Sequence, residues 1–308
     1  MIVTVTPNPS IDRTLRIGRL ERGGVVRVSS TTDEAGGKGL NVSRALAQAG
    51  HATLAVLPLP ERTAATYVGL VGADATLAGV PVGGAMRVNI SLVENDGTVT
   101  KVNEAGPTLD EAAVEALLER VQGAGAGAGW VVGCGSLPPG MDPAFYGRVA
   151  RNLPAGVRVA IDASGPALAA AAEAGVALLK PNRAELEELT GRKLPTLGAV
   201  VDAVAALVDA GTGAVLTSLG PDGAVYVWAG GAVHAEARID DVANTVGAGD
   251  ALLAGFLAAG ADADAVATAV AWGVAACRSP GTRMRPVRDE DAAAVVRHAG
   301  IDRSRRLA

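Results

Sequence analysis

Aromatic side chains are scarce in this chain: Phe, Tyr and Trp together make up 3% of its 308 residues. Apolar residues still reach 49%, so wholesale disorder is excluded and the core must be built of Ala, Val and Leu. The only cysteines, Cys134 and Cys277, form no C-x-x-C pair and are too few to staple a chain of this length. The three histidines (His51, His234, His298) are scattered and lack zinc-ligand spacing. No apolar run reaches the ~18–20 residues of a membrane span. The longest candidate, Ala251 to Ala261, lies between Asp250 and Asp262 and reads as a buried helix. The opening Met1-Ile2-Val3-Thr4-Val5 has no basic stretch and is not read as a signal peptide. Positive charge is not in excess either, with 27 Lys plus Arg against 32 Asp plus Glu and a net charge of −5. With no basic block, nucleic acid is excluded as the main partner, whereas phosphorylated small molecules need only a few placed cations. These absences predict a soluble cytoplasmic protein with neither a membrane nor a nucleic-acid partner.

What is present is rhythm. The length suits two domains, or one large α/β domain with an attachment. β-rich runs at Ile2–Thr6, Thr53–Leu57, Trp130–Cys134, Val157–Ile161, Val176–Leu179 and Ala214–Thr217 alternate with Ala-rich stretches. Those stretches, Leu40–Ala49, Asp110–Val121, Pro143–Arg151, Pro166–Ala174 and Leu197–Asp209, carry helical periodicity. Such alternation predicts a mostly parallel sheet covered on both faces, a three-layer α/β sandwich. The part after Asp250 reads as almost wholly helical, over Ala251–Ala259, Ala263–Cys277 and Asp289–His298. Two segments break the rhythm: Arg13 to Thr32 has no convincing helix, and Met86 to Asn103 reads as a hairpin turning at Asn95-Asp96-Gly97. Together they predict a small separate β-sheet, a lid or an oligomer contact, inserted from about 13–32 and 86–103 into one domain spanning 1–308. A small sheet with one apolar face rarely stands alone, which predicts a partner subunit. Gly123 to Gly129 alternates Gly and Ala without a G-x-G-x-x-G register and is read as a flexible connection.

The sharpest local feature is Asn244-Thr245-Val246-Gly247-Ala248-Gly249-Asp250, running directly into an apolar helix. A glycine turn entering a helix leaves backbone N–H groups free at the positive end of the helix dipole, which makes an anion site. An acidic residue is out of place in a pure phosphate cradle. It fits if a phosphoryl group is transferred there and the acceptor hydroxyl must be oriented and deprotonated. The plainer alternative is that Asp250 stabilises the helix start. A second glycine loop, Gly36-Gly37-Lys38-Gly39-Leu40-Asn41, is not a Walker A loop, because Gly39 replaces its Ser or Thr. There Gly36 and Gly37 allow close approach of a small ligand, Lys38 a phosphate contact and Asn41 a hydroxyl contact. Asp12 and Ser136 each follow a strand, at the end where open α/β sheets bind ligands. Asn182 and Glu185, three apart at a helix start, suit Mg²⁺ held through water beside phosphates, or equally a capping box. Ser218-Leu219-Gly220 is either a nucleotide contact or a hairpin turn.

Taken in order, these motifs resemble the signatures of the ribokinase/phosphofructokinase-B family of sugar kinases. Thr6-Pro7-Asn8-Pro9-Ser10-Ile11-Asp12, Asn103-Glu104-Ala105-Gly106-Pro107, Gly135-Ser136-Leu137-Pro138-Pro139-Gly140 and Lys180-Pro181-Asn182 narrow the resemblance to its 1-phosphofructokinase branch. The resemblance implies a ribokinase-like fold whose β-lid doubles as a homodimer contact. It implies ATP as donor, Mg²⁺ as cofactor and a phosphorylated ketohexose, fructose 1-phosphate, as acceptor. Tagatose-6-phosphate kinase and 6-phosphofructokinase are the alternatives within the family. By position, Asp250 is then the base, and the amides of Gly247, Ala248 and Gly249 hold the γ-phosphate. Asp12, Gly36, Gly37 and Asn41 hold the sugar, while Lys38, Arg87 and Lys101 grip its phosphate with Ser136 nearby. Asn182 and Glu185 order the metal shell through water. Lys180, Asn182, Ser218, Gly220, Thr245, Gly247, Gly249, Ser279 and Gly281 flank the nucleotide. A dehydrogenase reading fails because no G-x-G-x-x-G follows the first strand.

Overall fold

The structure, a computed structural model, describes residues 1–281 and 283–308. In chain order the first half contains β1 (Ile2–Val5), β2 (Ser10–Ile17), β3 (Val28–Gly36), α1 (Lys38–Gln48), β4 (Thr53–Pro60), α2 (Ala64–Val71), β5 (Leu77–Val82), β6 (Arg87–Val93), β7 (Val99–Asn103), α3 (Glu111–Gly125), β8 (Trp130–Cys134) and α4 (Phe145–Asn152). The second half contains β9 (Arg158–Asp162), α5 (Gly165–Glu173), β10 (Leu178–Leu179), α6 (Arg183–Thr190), α7 (Leu197–Asp209), β11 (Ala214–Ser218), β12 (Ala224–Trp228), β13 (Gly231–Ala237), α8 (Ala248–Ala258), α9 (Ala265–Cys277), α10 (Asp289–Ala293) and β14 (Val295–Arg297).

A 10-stranded sheet runs in the order β14-β13-β12-β11-β10-β9-β8-β1-β4-β5. Pairing is parallel from β5 through to β11 and antiparallel among β11, β12, β13 and β14. Because strand side chains alternate, β1 feeds two cores. Val3 and Val5 point to one face, into a core that also holds Leu117 of α3, Phe145 of α4, Leu168 of α5 and Leu197 of α7. Ile2 points to the other, with Val42 and Leu46 of α1, Phe256 of α8 and Val270 of α9. The result is the expected three-layer sandwich. Helix α8 is apolar all round, since from Ala251 to Leu257 every residue is buried. That fits a helix wedged among other helices, not one lying on a surface.

A separate 4-stranded sheet, β3-β2-β6-β7, stands beside the sandwich. The hairpin read over 86–103 is β6 and β7, and β2 joins β6 in parallel and β3 antiparallel. In register, Ser10 and Arg87, then Asp12, Asn89 and Asn103, then Thr14, Ser91 and Lys101 share one polar face. Ile11, Val88, Ile90, Leu92 and Val102 share the other.

Three expectations about elements need correction. The last helix stops at Ala293, and Val295–Arg297 adds an edge strand on β13. Helix α3 continues to Gly125, through the first half of the Gly/Ala run read as a flexible connection. The region 224–237 holds two strands, β12 and β13, that the alternating pattern did not reveal.

Candidate active site

The parallel strands of the large sheet feed the site from their C-terminal ends, whereas β2 and β6 of the small sheet bring Asp12, Arg87 and Asn89 from their N-terminal ends. Gly247 is the N-cap of α8 at φ 82, a left-handed conformation that favours glycine, and no side chain caps the helix. The Gly247 and Gly249 amides make no hydrogen bond among the described residues, whereas the Ala248 amide donates to Thr245 O at 3.3 Å. The expected trio of amides is thus two free ones and one already engaged. Asp250 sits in this first turn, 7% exposed, and accepts a hydrogen bond from Asn41 Nδ2 at 2.9 Å. Burial first, and then the neighbouring Asp162 carboxylate, raise its pKa to about 6 against the pull of Lys38, Asn41 and Lys180. A buried carboxylate with an affinity for protons near neutrality, beside free amides, has the chemistry to take a proton next to a bound anion.

Next to it lies a charged cluster that the sequence reading did not assemble. Asp162, at the end of β9 and wholly buried, pairs with Lys38 Nζ at 2.8 Å and Lys180 Nζ at 3.0 Å. Burial opposes ionisation of Asp162, but the ammonium groups of Lys180 and Lys38 outweigh it and hold its pKa below the usual range. The same carboxylate raises the pKa of Lys38. A Cβ on Gly249 would sit 3.4 Å from Lys180 Nζ, so this ammonium lies against the anion-binding turn. Lys38 departs from its expected grouping with Arg87. It reaches to Asp162 and lies 3.9 Å from Glu185 Oε1, within the field of Asp250.

The polar face of the small sheet carries Asp12, which accepts hydrogen bonds on Oδ1 from Ser10 Oγ at 2.7 Å and Asn89 Nδ2 at 3.0 Å. A Cβ on Gly36 would fall 2.2 Å from Asp12 Oδ2, so this glycine makes room for the carboxylate. Arg87 Nη2 donates to Asn8 O at 2.9 Å, and Asn8 Nδ2 reaches Ser136 Oγ at 3.5 Å, bringing Arg87 and Ser136 into one neighbourhood. Lys101 is exposed, on the same face but two residue rows from Arg87, about 13 Å along the strands. Asn8 Oδ1, Arg87 Nε and Asn89 Oδ1 are buried polar atoms without a partner, concentrated around Asp12. Such groups are rare in finished cores and mark a place built for polar ligands.

On the other side of Asp250 opens a cleft of about 700 Å³ lined by Asn182, Ser218, Gly220, Thr245, Ala248 and Gly249, with Leu252, Val270 and Val274 as apolar wall. An apolar slot leading to an anion-binding turn matches a nucleotide in shape and polarity. Asn182 and Glu185 form the capping box: Asn182 Oδ1 accepts from Glu185 N at 2.9 Å, and Glu185 Oε2 from Asn182 N at 2.8 Å. Among the described residues, no group of three or more His, Cys, Asp or Glu is arranged around a metal position. A single carboxylate with one oxygen outside the cap fits a cation held through waters and phosphates, and does not fit a protein cage. Ser279 and Gly281 do not line the cleft. Ser279 is buried, donating to Ala275 O and accepting from Arg285 N, and Gly281 O accepts from Asn244 Nδ2.

The family model of the pfkB family carbohydrate kinases matches residues 6–288. The chain belongs to the pfkB family of carbohydrate kinases. A protein named 1-phosphofructokinase from Rhodobacter capsulatus is 37% identical over 268 residues, covering 83% of this kinase and 82% of that protein. One of the same name from Haloferax volcanii is 36% identical, covering 94% of this chain and 95% of its own. Among solved structures, Escherichia coli phosphofructokinase-2 in complex with potassium superposes with a TM-score of 0.87 at 31% identity, covering 95% of this chain and 96% of that one.

Sequence reasoning missed Asp162, Asn8 and Asn89 in this kinase. Asp162 had a usable signal, since an acidic residue closing a buried strand of a parallel sheet lies at the binding edge. Asn89 stands between Val88 and Ile90 in an alternating strand, on the face that carries Asp12, but only strand pairing tells which face that is.

Proposed function

We propose that this kinase transfers the γ-phosphoryl group of ATP to the free primary hydroxyl of fructose 1-phosphate, giving fructose 1,6-bisphosphate and ADP. The observation that carries the reading is the buried Asp250 beside the uncapped turn of α8, between the nucleotide-shaped cleft and the polar face that holds Asp12. Asp250 Oδ accepts the hydroxyl proton as the alcohol oxygen bonds to the γ-phosphorus and the bond to the ADP oxygen breaks. With a loose transition state, alignment matters more than base strength. The free amides of Gly247 and Gly249, with Lys180 against them, receive charge on the transferred group. Lys38 adds a second cation at that centre. Glu185 would hold Mg²⁺ through water, and the ion would supply charge neutralisation on the triphosphate. Asp12 and Asn89 orient the sugar hydroxyls, and Arg87 takes the phosphate already on the sugar.

The relatives named 1-phosphofructokinase support the choice of sugar phosphate. A coupled ADP-release assay on fructose 1-phosphate, fructose 6-phosphate, tagatose 6-phosphate and free fructose tests it. The highest kcat/KM is expected for fructose 1-phosphate, and a preference for free fructose refutes the role of Arg87. The apolar face of the small sheet, where Val102 is 52% exposed, supports a homodimer through this lid. Val102→Asp should lower the sedimenting mass to that of one chain.

A further inference from the structure

We infer that Arg305 is a positioning residue of the nucleotide cleft, tying the C-terminal strap to the wall formed by the turn after β11 and by β13, and neutralising the two carboxylates that this wall presents. The inference rests on the reading of that cleft as the ATP site.

The segment from Asp302 to Ala308 is strapped across the start of α7. Gly198 N donates to Arg303 O at 3.1 Å, Leu197 N to Arg305 O at 2.9 Å, and Leu307 N to Pro195 O at 3.0 Å. From this anchored strap Arg305 reaches to the cleft, which it lines together with Ala308. Its Nη2 donates to Asp222 Oδ1 at 2.9 Å and its Nη1 to Glu236 Oε1 at 2.6 Å. Asp222 closes the tight turn after β11 and Glu236 stands on the neighbouring β13, where Ala224 pairs with Ala235, so one guanidinium ties the strap to a single wall that carries both carboxylates. The second oxygen of Asp222 accepts from Ala308 N at 2.8 Å. Both carboxylates are nearly buried, at 7% and 8% exposure, and each lines the cleft.

A planar fork meeting two carboxylates is rigid, and Arg suits it because its donors are fixed in one plane. Without that cation, two neighbouring buried acidic groups would repel each other and release the strap from the wall that carries them. Negative charge would also be left uncompensated beside a site for a polyanion. Arg305 thus keeps the strap seated on the cleft wall and the potential of the slot acceptable to ATP, without touching the reacting atoms.

The test uses the full chain and ADP as probe. Arg305→Ala should raise the ADP Kd, by calorimetry, and the KM for ATP about tenfold, with kcat and the KM for fructose 1-phosphate changing less than twofold. Arg305→Lys, which keeps the charge but loses the fork, should fall between. Should Arg305→Ala not fold, Arg305→Lys and Glu236→Gln carry the same test, each raising the ADP Kd severalfold. Gly273→Leu, placing a side chain into the same cleft, serves as reference. If Gly273→Leu weakens ADP binding while the Arg305 variants bind as wild type, the positioning role is overturned alone. If Gly273→Leu binds ADP normally, the nucleotide reading itself falls. Equal weakening of ADP and sugar-phosphate binding in Arg305→Ala would mean general loosening and would overturn the inference.

Discussion

Asp250→Asn separates catalysis from stability because the two should move in opposite directions. A carboxyl held at about 6 instead of its ordinary 3.8 makes the charged form in the fold about 3 kcal/mol less favourable than in the unfolded chain. The sign follows from linkage: with the folded pKa raised, the proton stabilises the fold below the unfolded value, and that stability is lost as pH rises through about 6. Asparagine keeps an oxygen for Asn41 and removes the charge. At pH 8 the variant should therefore be more stable by up to about 3 kcal/mol, or about 5 °C in Tm for a chain of this length. At pH 5 the gain should shrink to about half, because the native carboxyl is then largely protonated. Its kcat should drop roughly 10²–10⁴-fold, the usual worth of acid–base catalysis, with ADP binding retained. In the native enzyme kcat/KM should rise with pH through about 6 and then level off. Melting curves at pH 5 and 8, with turnover by the coupled assay, are the measurements. A variant that turns over normally, or melts lower than wild type at pH 8, refutes the assignment of Asp250 as a buried base.

Arg87→Ala should raise KM for the sugar phosphate far more than KM for ATP, and an equal effect on both places the guanidinium outside the sugar site. Gly36→Ala puts a methyl 2.2 Å from Asp12 Oδ2. It should displace that carboxylate and weaken sugar-phosphate binding about tenfold or more, at little cost to ADP binding; unchanged sugar affinity would show that Asp12 does not hold the acceptor. Asp162→Ala strands two ammonium groups and should cost about 3–5 kcal/mol in denaturant unfolding, the usual penalty for breaking a buried ion pair from one side. A loss below about 1 kcal/mol would mean that Lys38 and Lys180 find other partners.

The sequence by itself determined the layers and the glycine turn before α8. Alternating β and Ala-rich runs specify a covered parallel sheet, because each pattern can bury its apolar side only that way. Asn244 to Asp250 is legible as an anion site because a glycine turn and the helix it enters are neighbours in the chain. Asn182 and Glu185 show the limit of local reading: the spacing fits a capping box and a metal shell alike, and the fold makes the capping box. The edge strand β14 was hidden because Val295–Arg297 is too short for a period and is a strand only by pairing with β13. What only the tertiary structure decided are the long-range pairs. Lys38 with Asp162, Asn41 with Asp250, and Arg305 with Asp222 and Glu236 join residues brought together by strand order and by the strap, and no local pattern encodes them. Charge assignments follow from those pairs, because burial and neighbours set a pKa and neither exists in an extended chain.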